Sequence, residues 1–304
     1  MMKSTFIILC IYLGLSQIAN SQGDTYSRLP FYNPGMFNPA ATGLESKNFI
    51  TTNISSKRYN TEFDPLRFDI GYERTIDKIN SSFAVYYYYS QLGSLANTNT
   101  LGLSYSYKFK FSNVHFLKFG IQLNIIRHYI DYSRIISIYP DPCIDYIEKS
   151  GTKADINLGL WYSWKRLTIG GSVLNVFRPV FIPFNSGCSY EEEGIRLQRF
   201  FTFLAKYEIK LSNSFDLTPA IFLYTYSNYN SKFSDYLDYS LNFSYKKWLN
   251  LGTVYSPGRF SQWTVFAGAK IIKKINIQFT YGFPDNNVGN IGPFLEAFLS
   301  YSIN

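Results

Sequence analysis

Charge is what this 304-residue chain has least of. Asp, Glu, Lys and Arg together make up 16% of it, against about a quarter in an ordinary soluble domain. Histidine occurs twice, at His115 and His128, and cysteine three times, at Cys10, Cys143 and Cys188. The two histidines fall in one predicted strand at an odd spacing, which puts them on opposite faces and out of a shared site. No Cys/His spacing matches a zinc pattern. No Ser–His pair has an orienting partner, as a lipid-modifying barrel enzyme would need, and there is no Gly-rich phosphate loop. The sequence therefore predicts no enzyme, no cofactor and no metal. Long apolar runs are also missing. After the first twenty residues nothing is apolar enough to cross a bilayer as a helix, and the mean hydropathy is −0.10.

Aromatic residues are abundant instead, with 27 Tyr and 27 Phe in a 19% aromatic share. They sit in a strict order. In LGLSYSYKFKF, 101–111, the odd positions are Leu101, Leu103, Tyr105, Tyr107, Phe109 and Phe111, and the even ones Gly, Ser or Lys. Alternation of this length is the period-2 signature of a strand with one face in apolar surroundings. It recurs in 154–164 (ADINLGLWYSW), 237–245 and 275–283. A coarse segmentation gives about fourteen strands, at 47–58, 63–75, 80–93, 98–111, 114–128, 153–165, 166–176, 196–211, 214–227, 235–246, 247–256, 260–272, 273–283 and 292–304. Every second connection is minimal, as at 112–113, 165–166 and 246–247, and others are long, as at 128–152 and 177–195. Short turns on one rim and long loops on the other are the asymmetry of an outer-membrane β-barrel. A soluble sandwich has no reason for it. The expected fold is an all-β transmembrane barrel of about 14 antiparallel strands over 47–304. Tyr86 to Tyr89, Trp161, Trp164, Trp248 and Trp263 are expected in its interfacial girdles.

The N-terminus reads as a signal peptide, 1–21: a positive Met1-Met2-Lys3, an apolar Thr5 to Leu15, and Ala19-Asn20-Ser21 before a cut at about Ser21/Gln22. That predicts an oxidising compartment, where Cys143 and Cys188, both in long outer loops, form a disulfide or stay as two free thiols. A bond would close a loop of about 45 residues and stabilise by roughly 3–4 kcal/mol. The net charge is +8, but the basic residues are spread among turns and alternating positions, and export argues against nucleic acid as a partner. Glu191-Glu192-Glu193 reads as a solvated loop tip.

Residues 22–46 are expected as a short periplasmic segment. They contain FYNPGMFNPAATG, 31–43, with two Asn-Pro dipeptides, Asn33-Pro34 and Asn38-Pro39. Pro fixes φ and removes a donor, so neither dipeptide extends a strand or helix. The segment reads as a rigid aromatic plug or clamp, with Phe31, Asn33, Pro34, Phe37, Asn38, Pro39 and Gly43 as candidate partner-binding residues. The alternative is that Phe31, Tyr32 and Phe37 merely pack into the lumen.

FYNP-x3-NPA-x2-G resembles the N-terminal signature of the PorP/SprF family of the type IX secretion system of Bacteroidetes-type bacteria. The likeness extends to 69–73 (DIGYE), 101–107 (LGLSYSY), 119–122 (FGIQ), 155–162 (DINLGLWY) and 170–175 (GGSVLN). It implies a non-enzymatic component in the bacterial outer membrane, surrounded by lipid and contacting periplasmic secretion and gliding components. Such a component would support export or surface attachment of a secreted cargo protein. The alternative is a general diffusion channel for small solutes, biased toward anions by the basic balance.

Overall fold

The alternating segments become the strands that the period-2 pattern requires. The computed structural model describes residues 27–57, 64–134, 147–183, 194–226, 237–257, 263–272, 274–284 and 292–303. The strands are β1 (Asn48–Lys57), β2 (Pro65–Ile76), β3 (Ser81–Leu92), β4 (Ala96–Ser112), β5 (His115–Asp131), β6 (Glu148–Trp164), β7 (Leu167–Leu174), β8 (Val180–Pro183), β9 (Gly194–Arg196), β10 (Phe200–Tyr207), β11 (Ile209–Lys210), β12 (Phe215–Tyr226), β13 (Leu237–Tyr245), β14 (Leu249–Tyr255), β15 (Trp263–Ile271), β16 (Ile275–Gly282) and β17 (Phe294–Ile303). β8 and β9 pair only with each other. β10 and β11 make one wall strand broken at Glu208. The wall therefore has fourteen antiparallel strands.

The ring closes because its first and last strands pair. β1 runs against β17 from Asn48↔Ile303 to Lys57↔Phe294, and β10 bridges β7 and β12. Closure removes the unpaired sheet edge that lipid could not satisfy. Connections 77–80, 113–114, 165–166, 211–214, 246–248 and 272–274 lie on one rim, called here the turn rim, where both chain ends of the barrel also lie. The strands that flank 132–147 and 175–199 end at the opposite, loop rim. One connection there, 93–95, is as short as the turns, so the asymmetry holds for most of the rim rather than all of it.

The faces are inverted relative to a water-soluble protein. On β4, Leu103 is 53% exposed while Ser106, three positions on, is fully buried. The apolar row looks outward on neighbouring strands too, with Phe83, Val85, Ile121, Leu123 and Leu158 exposed. Ser, Thr, Asn, Gln and charged side chains fill the interior. An apolar exterior around a polar lumen is the arrangement of a membrane barrel. Trp164, Trp248 and Trp263 are exposed on the outside near strand ends. Trp161, Tyr86 and Tyr88, expected in the girdles, are not there. Trp161 shares the inward parity of Asp155, and Tyr86 and Tyr88 that of Ala84; Trp161 and Tyr86 are buried in the lumen and Tyr88 is half-buried there. Cys143, Cys188, the Glu191 to Glu193 run and the signal peptide lie outside the described residues.

The plugged lumen as candidate functional site

Two short 3-10 turns, Pro34–Met36 and Pro39–Ala41, interrupt the N-terminal segment, each opened by an Asn-Pro dipeptide. Pro suits the first position of such a turn because its missing N–H has no partner there anyway. The Asn38 side chain caps its turn, accepting from the Ala40 N–H at 2.9 Å. With both turns fixed, residues 27–46 form a compact strap rather than a strand.

That strap is inside the barrel. This position fits the plug reading of 31–43 and its lumen-packing alternative alike, and it has a clear cause: the segment's polar groups are satisfied by the lumen wall. The Arg28 N–H donates to Glu296 Oε2 at 2.9 Å, and its guanidinium reaches Ser256 at 3.1 Å and Asp238 at 3.7 Å. These partners lie toward the loop rim. Asn33 Nδ2 donates to Thr51 Oγ1 at 3.1 Å. Further along, Thr75 Oγ1 donates to the Gly43 carbonyl at 3.0 Å, near the turn rim. The strap thus traverses the lumen from its loop-rim half to its turn-rim mouth, where β1 begins.

The wall is shaped to receive it. Ser106, Gly120, Gly159, Ser172 and Thr202 are paired neighbours across β4, β5, β6, β7 and β10. This row of small inward residues leaves a shallow bed. A Cβ at Gly120 would overlap the backbone of Pro39 and Ala40, and one at Gly159 would overlap the Asn38 carboxamide. Hydrogen bonds complete the fit. Asn38 Nδ2 donates to the carbonyls of Leu160 and Gly171 at 2.9 and 3.0 Å. Ser172 Oγ donates to the Phe37 carbonyl at 2.6 Å, and Ser106 Oγ to the Thr42 carbonyl at 3.1 Å. The same Thr42 carbonyl accepts from Lys118 Nζ. At the mouth, Glu73 receives the Gly43 N–H on one oxygen and the Tyr86 hydroxyl, at 2.7 Å, on the other. Both oxygens of this buried carboxyl are thus partnered, as buried polar groups require.

Apolar contacts anchor the two ends differently. Met36, Phe37, Ala40 and Ala41 pack with Tyr86, Trp161, Phe200 and Phe222 on the β3–β12 side. Leu29, Phe31 and Tyr32 pack with Val254, Phe266 and Phe298 on the other. Tyr32 meets Phe266 edge-on at 5.8 Å. All seven candidate residues come together in the lumen: Asn33, Pro34, Phe37, Asn38 and Pro39 are buried, and Phe31 and Gly43 half-buried. The sequence reading missed the wall's side of this contact. Its signal was small residues at inward positions of consecutive strands. The histidines occupy opposite faces of β5, with His115 Nε2 3.1 Å from Tyr162 OH and His128 Nδ1 2.7 Å from Thr98 Oγ1.

A 340 Å³ cavity lies above the strap toward the loop rim, with Phe37, Arg67, Tyr88, Asn124, Phe200 and Tyr224 in its lining. The opposite flank of the lumen is less completely hydrogen-bonded by protein groups among the described residues. The buried hydroxyls of Ser55, Ser240, Thr264 and Thr280 have no hydrogen-bond partner among the described residues. Buried polar groups require partners, and water is the one available to them.

Comparison with solved structures gives outer-membrane barrels. A deletion mutant of the TodX monoaromatic hydrocarbon channel matches at TM-score 0.54 and 11% identity, covering 90% of this chain and 94% of that one. Pseudomonas putida TodX matches at TM-score 0.49 and 10% identity, covering 94% and 99%. A Pseudomonas aeruginosa FadL homologue matches at TM-score 0.49 and 11% identity, covering 93% and 96%. At such identities the likeness concerns the fold alone. No curated protein matches the sequence significantly. Residues 19–301 match the family described as type IX secretion system membrane protein PorP/SprF, and with nearly the whole chain covered, the protein belongs to that family.

Proposed function

We propose that this chain is an outer-membrane component of type IX secretion that supports export or surface attachment of a partner protein, and that its strap is the element on which this role turns. The supporting observation is the filled lumen. Residues 27–46 occupy the bore, held by hydrogen bonds from β2, β4, β5, β6, β7 and β17. A barrel built this way suits a platform better than an open pore. Phe31, Asn33, Pro34, Phe37, Asn38, Pro39 and Gly43 then meet periplasmic partners or cargo only when the strap leaves its bed.

A reversible lock tests this. Asn33 and Thr51 touch across the strap–wall contact, so Asn33→Cys with Thr51→Cys, in a Cys143→Ser/Cys188→Ser background, brings two thiols near each other for oxidative crosslinking. The expected result is that surface-exposed secreted protein falls when the lock is oxidised and recovers on reduction. Export that is indifferent to the lock, with the bond verified by mass spectrometry, removes the strap from the mechanism.

The channel reading is favoured by one observation, the hydroxyls of Ser55, Ser240, Thr264 and Thr280 along one flank, which have no partner among the described residues. A hydrated strip beside the strap would pass water and small ions. Planar-bilayer conductance separates the two readings: steady large openings of the intact protein favour the channel, and silence favours the platform.

A further inference from the structure

The turn rim carries cations that the strap does not use. Two recesses open there, of 380 and 110 Å³. Lys210, Lys246 and Lys247 line the first, and Lys247, Lys270 and Lys274 the second. Lys247 joins them into one bay running from β11 to the start of β16. The acids in its lining are Asp216 and Glu45, and none of the five lysines makes an ion pair among the described residues.

The bay is also built at a conformational cost. Lys246 and Lys247 adopt φ of 47° and 59°, the left-handed region in which Asn-Gly or Asp-Gly is the favoured pair for a tight hairpin. Two consecutive lysines there crowd like charges in a backbone conformation that L residues resist. Asn80, Lys165 and Ile272 are left-handed at other turns of this rim as well, so what sets this turn apart is the two cations in succession rather than the backbone. The direction of the charges selects the partner. Lys210 and Lys270 follow the inward parity of Leu204 and Phe266 on their strands, and Phe31 and Tyr32 of the strap form part of the bay's wall. Lipid headgroups surround the barrel's outside, so a ligand here comes from the aqueous space beneath the rim.

We infer that this bay binds an acidic polypeptide segment of a partner on the turn side, its carboxylates taken up by Lys210, Lys246, Lys247, Lys270 and Lys274. The inference rests on the secretion reading above and names the chemistry of the partner. The Ser and Asn groups between the lysines, Ser212, Asn250, Asn276 and Ser300, suit the peptide backbone of an extended chain.

The full-length barrel in nanodiscs of zwitterionic lipid, titrated with a fluorescein-labelled hexaglutamate peptide, tests it, with hexaglutamine as the uncharged control. Lys246→Gln/Lys247→Gln/Lys270→Gln should weaken hexaglutamate binding about tenfold or more, and about 0.5 M salt should do the same. Lys165→Gln/Arg166→Gln, at a turn outside the bay, should leave affinity within about twofold. Equal loss from both variants, or no loss from the first, overturns the inference. So does a bay variant that binds hexaglutamate normally but loses affinity for phosphatidylglycerol vesicles, which assigns the lysines to headgroups. Peptide binding lost with export unchanged supports the bay and counts against the secretion reading. Export lost with peptide binding intact does the reverse.

Discussion

Gly120 shows how much of the site depends on the absence of a side chain. Its missing Cβ is where the backbone of Pro39 and Ala40 passes, so Gly120→Val must push the strap off its bed or bend the wall. Overpacking of this kind costs about 1–3 kcal/mol. The expected outcome is a lower unfolding midpoint in detergent and faster proteolysis of residues 27–46, with the folded barrel still visible as heat-modifiable mobility. Gly171→Ala is the control, because the nearest atom to its added Cβ is the Thr202 carbonyl at an ordinary 3.6 Å. Equal stability of the two variants would mean that the bed is not where the strap is held. At this scale the sequence was half legible. Two Asn-Pro dipeptides announce rigid turns, and the cap by Asn38 follows from residue type. That Asn38 would also bridge the paired residues Leu160 and Gly171 depends on contacts more than a hundred positions away, which no local pattern carries.

Strands and turns were read far better than side-chain partners, and the reason is the solvent on each side. Lipid outside and a filled, largely polar lumen inside favour alternation along the wall, and it is clearest in β3, β4 and β5. The departures fall where that constraint lapses. β5 runs to Asp131 and β6 starts at Glu148, past the expected 128 and 153, because beyond the bilayer the strands continue without needing an apolar face. β8 and β9 pair inside what looked like one long loop. Trp161, Tyr86 and Tyr88 were assigned by residue type, and their parity, which the same alternation supplied, puts them in the lumen. The turns carry a prediction of their own. Lys247 holds a left-handed conformation that costs an L residue about 1–2 kcal/mol and glycine almost nothing. After allowing for glycine's greater freedom in the unfolded chain, Lys247→Gly should stabilise the barrel by about 0.5–1 kcal/mol. The same variant should bind hexaglutamate more weakly. A melt showing no gain would imply that the turn relaxes in solution and that its strain is not retained for binding.

For the molecule as a whole, the question is what the strap closes. A ring of fourteen strands encloses a lumen that must be filled if it is not to conduct, and here one flank is packed with aromatic side chains while the other keeps hydroxyls without partners among the described residues. Removing residues 27–44 should therefore convert a nearly silent barrel into a steady pore in planar bilayers. The groups that lose strap partners would be Glu73, Lys118, Glu296 and Asp238, now wetted by the solvent that replaces the strap, so the barrel avoids dry unpaired charge. Selectivity should follow the turn-rim mouth, where Lys206, Lys210 and Lys270 face inward, and the reversal potential in a salt gradient should shift toward that of the anion. Lys206→Gln/Lys210→Gln/Lys270→Gln in the deletion background should move it back toward neutrality without closing the pore. Should the deletion variant remain silent while its heat-modifiable mobility shows an intact barrel, the loops of the opposite rim would be the barrier instead. In that case the strap would be an anchor for partners and not a gate.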